Sequence, residues 1–310
     1  KILMHLGVEI VNLNKKSLLH YYVINPDKTI RWIYPKSLKY PSFLNFYSAS
    51  SIKAKILSSI IKILFKIKLG GFIKSDEFLL DQKENGLLDT ILKRHKWDSY
   101  SIFTGTKGEN RKVIIELNAN RQTFLFVKIA LTEGAKHLII NEVDKINFVK
   151  SLNFNSINLP DILGYDNTLG FLEQSNIKTK TCLQKIEFTD KHAVSLYEIY
   201  SKTSKLTNVS QSNFLSDITK NIQDIKITSQ NKSTIGEYKI INLVTNLEIL
   251  KDTIEGKDIF NVALAHGDFT PWNLYINGDK LNVFDWEMAE FEMPVLYDFF
   301  HFIFQSSILI

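Results

Sequence analysis

Two carboxylates and one carboxamide lie at short spacing towards the end of the chain. Asp268 lies just after a short apolar stretch (261–265), Asn273 comes five residues later, and Asp285 twelve residues after that. Carboxylate and amide oxygens are ligands that Mg²⁺ accepts, and a separate carboxylate can take the proton of a hydroxyl group. These are the groups that phosphoryl transfer from a nucleotide requires of a protein.

The sequence between Asn273 and Asp285 predicts a β-hairpin. Two alternating stretches, 273–277 and 280–284, flank Asn277-Gly278, a dipeptide typical of two-residue hairpin turns. The end of the second strand therefore returns to the beginning of the first, and we expect Asn273 and Asp285 to converge.

The complete pattern is His266-x-Asp268, then Asn273, then Asp285-x-Glu287. It resembles the aminoglycoside phosphotransferase and choline kinase-like family of the protein-kinase-like superfamily, whose members phosphorylate small molecules. The resemblance implies that Asp268 is the catalytic carboxylate, that His266 supports its loop, and that Asn273 and Asp285 hold Mg²⁺. The alternative interpretation is that both aspartates are ordinary turn residues beside strands.

The pattern departs from that of protein kinases. Gly267 stands where those enzymes carry Arg, and Trp286-Glu287 replaces Phe-Gly after the metal-binding Asp. Pro294 and an apolar helix follow too soon to leave room for an activation loop. Phosphorylation of a small molecule is therefore favoured over phosphorylation of a protein.

Upstream, the sequence predicts a three-stranded meander over 99–104, 112–117 and 123–129. Gly105 and Gly108 lie in its first turn. By the resemblance, this turn would fold over the phosphates of ATP, although two glycines three residues apart are also common in plain hairpins.

Lys128 is a charged residue inside an apolar strand, and a helix is predicted over 133–152. A lysine is rarely buried without a partner, so it either faces solvent or meets an anion. The resemblance implies that Lys128 contacts the ATP phosphates and that Glu142, in the middle of the helix, pairs with it. Glu133 and Asp144 are competing candidates for this pairing.

A second hairpin, over 161–166 and 168–174, would complete a five-stranded antiparallel lobe. In the family the chain leaving the last strand is the hinge that binds adenine through its backbone, which places the hinge near Ser175. The fold expected is α+β and bilobal, of the protein-kinase-like type. It has a small five-stranded N-terminal lobe with one helix, a mainly helical C-terminal lobe, and an N-terminal extension.

The domains expected are a basic extension (1–95), a nucleotide-binding lobe (96–176) and a catalytic and substrate lobe (177–310). The sequence begins with Lys1 and stops inside an apolar run, so we expect further helices to complete the last lobe. The polar stretch 201–236 is either a substrate-specific insertion or a flexible surface connection.

The positive charge of the chain is concentrated in its first 69 residues, which contain twelve Lys or Arg and two acids. Within them, 51–69 predicts a basic amphipathic helix whose five lysines make it too polar to span a bilayer. The helix either docks on the kinase lobe or lies on an anionic membrane. Nucleic-acid binding is not favoured, because no recognisable module is present.

A single cysteine, Cys182, excludes an intramolecular disulfide framework and favours a reducing compartment. No signal peptide is evident. We therefore expect a cytoplasmic protein, with peripheral contact at the inner face of a membrane as an option.

The function expected is transfer of the γ-phosphoryl group of Mg-ATP to a hydroxyl of a small molecule. A sugar, an aminoglycoside-like, a choline-like or a lipid-linked acceptor all remain open. The alternative is a catalytically inactive, kinase-fold protein that binds nucleotide or acts as a membrane-associated scaffold.

Overall fold

The computed structural model describes residues 2–11, 17–45, 52–229, 235–257 and 259–309. Among the described residues up to 95 there are three α-helices and four strands. In chain order these elements are α1 (Ile2–His5), β1 (Val8–Val11), β2 (Leu18–Ile24), β3 (Ile30–Pro35), α2 (Ile52–Lys66), β4 (Asp76–Gln82) and α3 (Leu87–Arg94).

The middle part contains the predicted meander, helix and second hairpin. Its elements are β5 (Ser99–Phe103), β6 (Lys112–Ala119), β7 (Gln122–Ala130), α4 (Glu133–Ser151), β8 (Ile157–Asn158), β9 (Ile162–Asp166) and β10 (Phe171–Ser175). The side chain of Thr132 caps α4 by accepting a hydrogen bond from the Ala135 N–H at 3.2 Å. The strands are rich in Ile, Val and Phe and are mostly buried, as expected in the middle of a covered sheet.

The last part is mainly helical and carries two small sheets. Its elements are α5 (Asp190–Thr203), β11 (Lys205–Asn208), α6 (Asn213–Ser229), α7 (Ile235–Glu255), β12 (Ile259–Ala265), β13 (Leu274–Asn277), β14 (Lys280–Val283), β15 (Glu290–Pro294) and α8 (Tyr297–Leu309). The predicted hairpin is β13–β14, with Gly278 at φ +61° in its turn. Much of the polar stretch 201–236 forms β11 and α6 rather than an irregular connection.

The main sheet differs from the prediction of five strands. It is antiparallel and has nine, in the order β1-β4-β2-β3-β5-β6-β7-β10-β9. The five predicted strands form one half, and the other half comes from the N-terminal extension. The two halves join where β3 pairs with β5, with Ile33 opposite Ile102.

One hydrophobic core also runs across the boundary predicted at residue 95. Leu6, Ile33 and Leu88 from the extension are buried together with Ile102 and Ile115 from the meander. The extension is therefore continuous with the neighbouring lobe in both its hydrogen bonding and its packing.

The α2 helix rests on the extension through Ile61 and Phe65, which pack against Tyr34 and Phe43. Its bounds, Ile52–Lys66, agree with the helix predicted over 51–69, although residue 51 lies outside the described ranges. Within those ranges, no helix combines the length and the apolar character needed to cross a bilayer.

Replacing Ile33 with Ala should lower the free energy of unfolding by about 2–5 kcal/mol, because the side chain is fully buried in the shared core. The matched change Ile10→Ala, at a site that is 62% exposed in β1, should cost less than about 0.5 kcal/mol. Chemical denaturation followed by tryptophan fluorescence measures both. If Ile33→Ala destabilised only a separate unfolding transition at low denaturant concentration, the extension would instead unfold independently of the lobe.

A buried histidine gives the junction between the halves a pH dependence. His20 in β2 donates from Nδ1 to the Leu18 carbonyl at 2.8 Å and accepts at Nε2 from the Tyr100 hydroxyl at 2.6 Å. Acceptance at Nε2 requires a neutral ring. Burial lowers the pKa of His20 from 6.5 to about 4.

The unfolded chain binds this proton near pH 6.5 and the folded chain only near pH 4. The contribution of neutral His20 to the free energy of unfolding is therefore complete above pH 6.5. It declines as the pH falls towards 4, and the loss at pH 5 is about 2 kcal/mol. Denaturation curves between pH 7 and pH 5 should show a shallower decline for His20→Gln than for the control His137→Gln, which alters an exposed histidine of α4. Equal slopes for both variants would contradict this assignment.

Candidate active site

A cavity of about 280 Å³ lies between the main sheet and the β13–β14 hairpin. Its lining combines apolar side chains with charged and amide groups. The charged and amide residues include Lys112, Lys128, Asp268, Asn273 and Asp285. A larger cavity of about 520 Å³ lies between α5, β12 and α8, but its lining is almost wholly apolar. The chemistry is therefore concentrated in the smaller cavity.

Lys128 is the centre of a buried ionic cluster in this cavity. Its Nζ lies 2.7 Å from each carboxylate oxygen of Glu142 and 2.6 Å from Oδ1 of Asp285. Glu142 also accepts a hydrogen bond at 2.9 Å from the Gln174 side chain. The structure thus joins the strand lysine, the α4 glutamate and the aspartate that follows β14.

The ionisation of this cluster follows from its charges. Burial alone would raise the pKa of Asp285, but the neighbouring Lys128 and Lys112 hold it well below its usual range. Burial alone would lower the pKa of Lys128, but Asp285 and Glu142 raise it above its usual value. Both groups are therefore charged at neutral pH, and each is compensated locally.

Asp268 lies on the loop that follows β12. Its Oδ2 accepts a hydrogen bond at 2.9 Å from Nδ2 of Asn273, which also donates to the Asp268 carbonyl at 3.1 Å. Nε2 of His301 lies 3.3 Å from the other carboxylate oxygen. Because the Asp268 side chain is 32% exposed, a molecule in the cavity can reach it.

The backbone of this loop is fixed by buried groups. His266 donates from Nε2 to the Phe284 carbonyl at 2.8 Å, and its Nδ1 accepts from the Asp268 N–H at 3.2 Å. Asp298 accepts the N–H groups of His266 and Gly267 at 2.7 and 3.0 Å. Through these bonds the His266 ring braces the backbone of the loop.

Gly267 is required by its position. Its φ is +80°, and a Cβ there would lie 2.0 Å from the Met288 carbonyl oxygen. The Gly that replaces the Arg of protein kinases is therefore explained by this close approach.

Two residues of the site, Lys112 and His301, make contacts that the sequence did not indicate. Nζ of Lys112, at the beginning of β6, bonds to the Glu287 carboxylate and lies 3.9 Å from Asp285. Burial lowers the pKa of Lys112. In the sequence Lys112 is simply the first residue of a strand, and His301 is one polar residue in an apolar helix.

The oxygen donors of the cavity fit a Mg²⁺ ion. Carboxylate oxygens of Glu142, Asp285 and Glu287 lie within 4.8 Å of one another. Each of the three is also paired with a lysine: Glu142 and Asp285 with Lys128, and Glu287 with Lys112. Asn273 uses Nδ2 to bond Asp268, which leaves its Oδ1 as the atom able to ligate. These hard oxygen donors match the preference of Mg²⁺.

The predicted phosphate turn lies outside the residues that line this cavity. Gly105 has φ +72°, and a Cβ there would lie 2.0 Å from the Lys112 carbonyl oxygen, so the tight turn requires glycine. Gly108 has open space around it. The turn rests on the beginning of α4, where the Thr132 hydroxyl donates to the Glu109 carbonyl.

Ser175 also lies outside the lining of the cavity, although Gln174 and Asn176 on either side belong to it. The Ser175 N–H donates to the Asp161 carbonyl at 2.9 Å, and its hydroxyl accepts from the Asp161 N–H at 2.7 Å. Both groups are therefore engaged with the strand next to it.

Comparisons with solved structures find small-molecule phosphotransferases. The chain is 15% identical to the aminoglycoside phosphotransferase APH(2'')-IIa in its gentamicin complex, over 71% of this chain and 74% of that one, with a TM-score of 0.48. Choline kinase LicA from Streptococcus pneumoniae is 16% identical over 67% and 69%, with a TM-score of 0.43. ADP-bound APH(2'')-Ib is 16% identical over 66% and 71%, with a TM-score of 0.46.

The solved structures that this chain resembles are small-molecule kinases. No protein-family model and no curated protein matches the sequence. Because these three TM-scores are below 0.5, the function of this chain has to be inferred from the geometry of its site.

Replacing Asp285 with Asn should abolish the Mg²⁺ dependence of nucleotide binding, because Asp285 is the carboxylate predicted to ligate the ion. Equilibrium binding of a fluorescent ATP analogue, with and without Mg²⁺, measures this. The control Asp279→Asn changes a fully exposed aspartate in the turn of the same hairpin and should leave the dependence intact. An unchanged Mg²⁺ dependence in Asp285→Asn would refute the metal assignment.

Proposed function

We propose that the chain is a phosphotransferase that transfers the γ-phosphoryl group of Mg-ATP to a hydroxyl group of a small molecule. One observation carries the proposal: Lys128 bonds at once to Glu142 and Asp285, in the same cavity where Asp268 is held by Asn273. A cation for phosphate, oxygen donors for a metal ion and a carboxylate for the acceptor thus converge in one place.

The proposed nucleotide site has a charged end and an apolar end. Lys128 and Lys112 supply two cations for phosphate oxygens. Ile114, Phe126 and Tyr275 line the same cavity and suit the flat, apolar faces of adenine. Gln174 and Asn176, one residue to either side of the predicted Ser175, also line this cavity. We therefore place the adenine-binding hinge at these residues.

In this proposal Asp285 and Asn273 hold Mg²⁺, with Glu287 as a further oxygen donor. When bound there, the ion would supply positive charge to offset the charge on the transferred phosphoryl group. Lys128 holds the nucleotide phosphates, and Glu142 fixes the position of Lys128. These groups act by positioning and by charge compensation, which account for most of the catalysis in phosphoryl transfer.

Asp268 orients the acceptor hydroxyl and accepts its proton. Its carboxylate is held on one side by Asn273 and on the other by His301, so its direction is fixed while it remains accessible. His301 is therefore a positioning residue in this scheme. The acceptor is a hydroxyl-bearing small molecule, as are the aminoglycosides in the structural neighbours.

The inactive scaffold is the competing function. A scaffold does not require Lys128, Asp268, Asn273 and Asp285 to be present together, nor does it require them to line one cavity. Their convergence therefore favours catalysis.

Transfer of labelled γ-phosphate from Mg-ATP into a bacterial metabolite and lipid extract tests this function. Asp268→Asn should reduce the rate of labelling about 10²- to 10⁴-fold, because it removes the general base. ATP affinity should change by less than about threefold, since Asp268 contacts the acceptor rather than the nucleotide. The control Asp252→Asn, at a 77% exposed site in α7, should label at the normal rate.

Mg-ATP binding without any labelled product would support the scaffold instead. Labelling that persists in Asp268→Asn would keep the phosphotransferase but reject Asp268 as its base. The partition of the product between water and organic solvent would distinguish soluble from lipid-linked acceptors.

A further inference from the structure

A second large cavity, of about 890 Å³, lies in the N-terminal extension, between α2 and the strands β2 and β3. Its lining contains six basic residues and, among the described residues, no carboxylate. The basic residues are Lys36, Lys39, Lys62, Lys66, Lys68 and Arg121. In the described part of the chain, none of the six belongs to an ion pair. The cavity therefore concentrates uncompensated positive charge.

A buried hydroxyl group in the same lining lacks a hydrogen-bond partner. Tyr34 is 1% exposed, and its hydroxyl meets no acceptor or donor among the described residues. Burial raises the pKa of Tyr34, so the hydroxyl keeps its proton and can donate. Leaving such a group unpaired is costly, and an anion in the cavity would satisfy it.

The α2 helix beside this cavity is apolar on its docked side and also on the side that faces away from the protein. Ile61 and Phe65 form the face that rests on the extension. A second row of isoleucines recurs at helical spacing on the opposite side, and each is about half exposed. These residues are Ile56, Ile60, Ile63 and Ile67, the last just beyond the helix.

A row of lysines borders the isoleucine row on one flank of α2, while the half-exposed Leu57 lies on the other flank. Lys55, Lys62 and Lys66 recur at helical spacing between the docked side and the isoleucine row, and Lys62 and Lys66 also line the cavity. Beyond the helix, Phe72 is 80% exposed and Leu69 is 43% exposed. The outer surface of α2 and of the turn after it is thus apolar and bordered by positive charge.

We propose that this surface, made of the isoleucine row, Phe72 and the basic cavity, binds an anionic membrane. Lysines that border an apolar face place their charges among lipid phosphates while the face enters the acyl boundary. The cavity and the Tyr34 hydroxyl receive a headgroup phosphate in this arrangement. The helix packs on the protein through its docked side, and its outward apolar side remains available to lipid.

Charge complementarity selects this partner over two others. A second copy of the chain would bring the same positive surface, and the two would repel. A nucleic acid would neutralise the lysines but would leave the isoleucine row and Phe72 exposed to water. An anionic bilayer satisfies both the charges and the apolar row.

Co-sedimentation of the full chain with vesicles tests the charged part of the surface. Binding is expected to vesicles of phosphatidylcholine that contain phosphatidylglycerol, and to be much weaker with phosphatidylcholine alone. Lys62→Gln combined with Lys66→Gln should weaken binding to the anionic vesicles by about tenfold to thirtyfold. The control pair Lys220→Gln and Lys257→Gln removes the same charge from exposed sites elsewhere and should change binding by less than about threefold.

The apolar part is tested by Ile60→Ser combined with Ile63→Ser, which should weaken binding by at least about tenfold. The control pair Ile249→Ser and Leu250→Ser changes similarly exposed residues of α7 and should leave binding intact. All four side chains are exposed, so each variant is expected to fold. Because the readout is sedimentation, the result is independent of phosphate transfer and of the proposed function.

Three outcomes would overturn the proposal. One is the absence of wild-type binding to anionic vesicles, and another is an equal loss of binding in the experimental and control pairs. The third is a dimer in solution that Ile60→Ser with Ile63→Ser converts to a monomer, which would assign the surface to contact between two copies of the chain.

Discussion

The burial of one cation, Lys128, constrains the whole site. A charge removed from water is tolerated only when opposite charges and hydrogen bonds surround it closely, and an uncompensated one would cost several kcal/mol. Here the compensation comes from α4 through Glu142 and from the end of β14 through Asp285, each at 2.6 to 2.7 Å. The strand, the helix and the hairpin must therefore meet at one point for the chain to fold.

The other half of the site depends on backbone geometry. Gly267 has a positive φ, which residues other than glycine disfavour. Asp298 accepts hydrogen bonds from the N–H groups of His266 and Gly267 in this turn. Burial raises the pKa of Asp298, while these two hydrogen bonds oppose that rise. The backbone that carries Asp268 is thus held by groups outside the cavity lining.

The residues predicted best are those whose positions follow from local structure. Asn273 and Asp285 converge because Asn277-Gly278 closes a short hairpin. Glu142 was implied by the family resemblance, and the periodicity of the sequence predicted the helix that carries it. The pairing of β3 with β5 was missed because register between strands distant in sequence leaves no periodic signal. Lys112 and His301 were missed for the same reason, since each acquires its partner only when separate elements meet.

The junction of β3 and β5 has a practical consequence for work on this protein. A polypeptide that began at residue 96 would expose the N–H and C=O groups of β5 that β3 now occupies, at Ile102 and Phe103. Unpaired, apolar sheet edges recruit other strands, so such a fragment is expected to aggregate. It would also lose Asn45, which lines the proposed nucleotide cavity and donates to the Thr123 hydroxyl at 2.8 Å. A truncation at the domain boundary predicted from the sequence would therefore lower solubility and also remove part of the lining of the proposed nucleotide cavity.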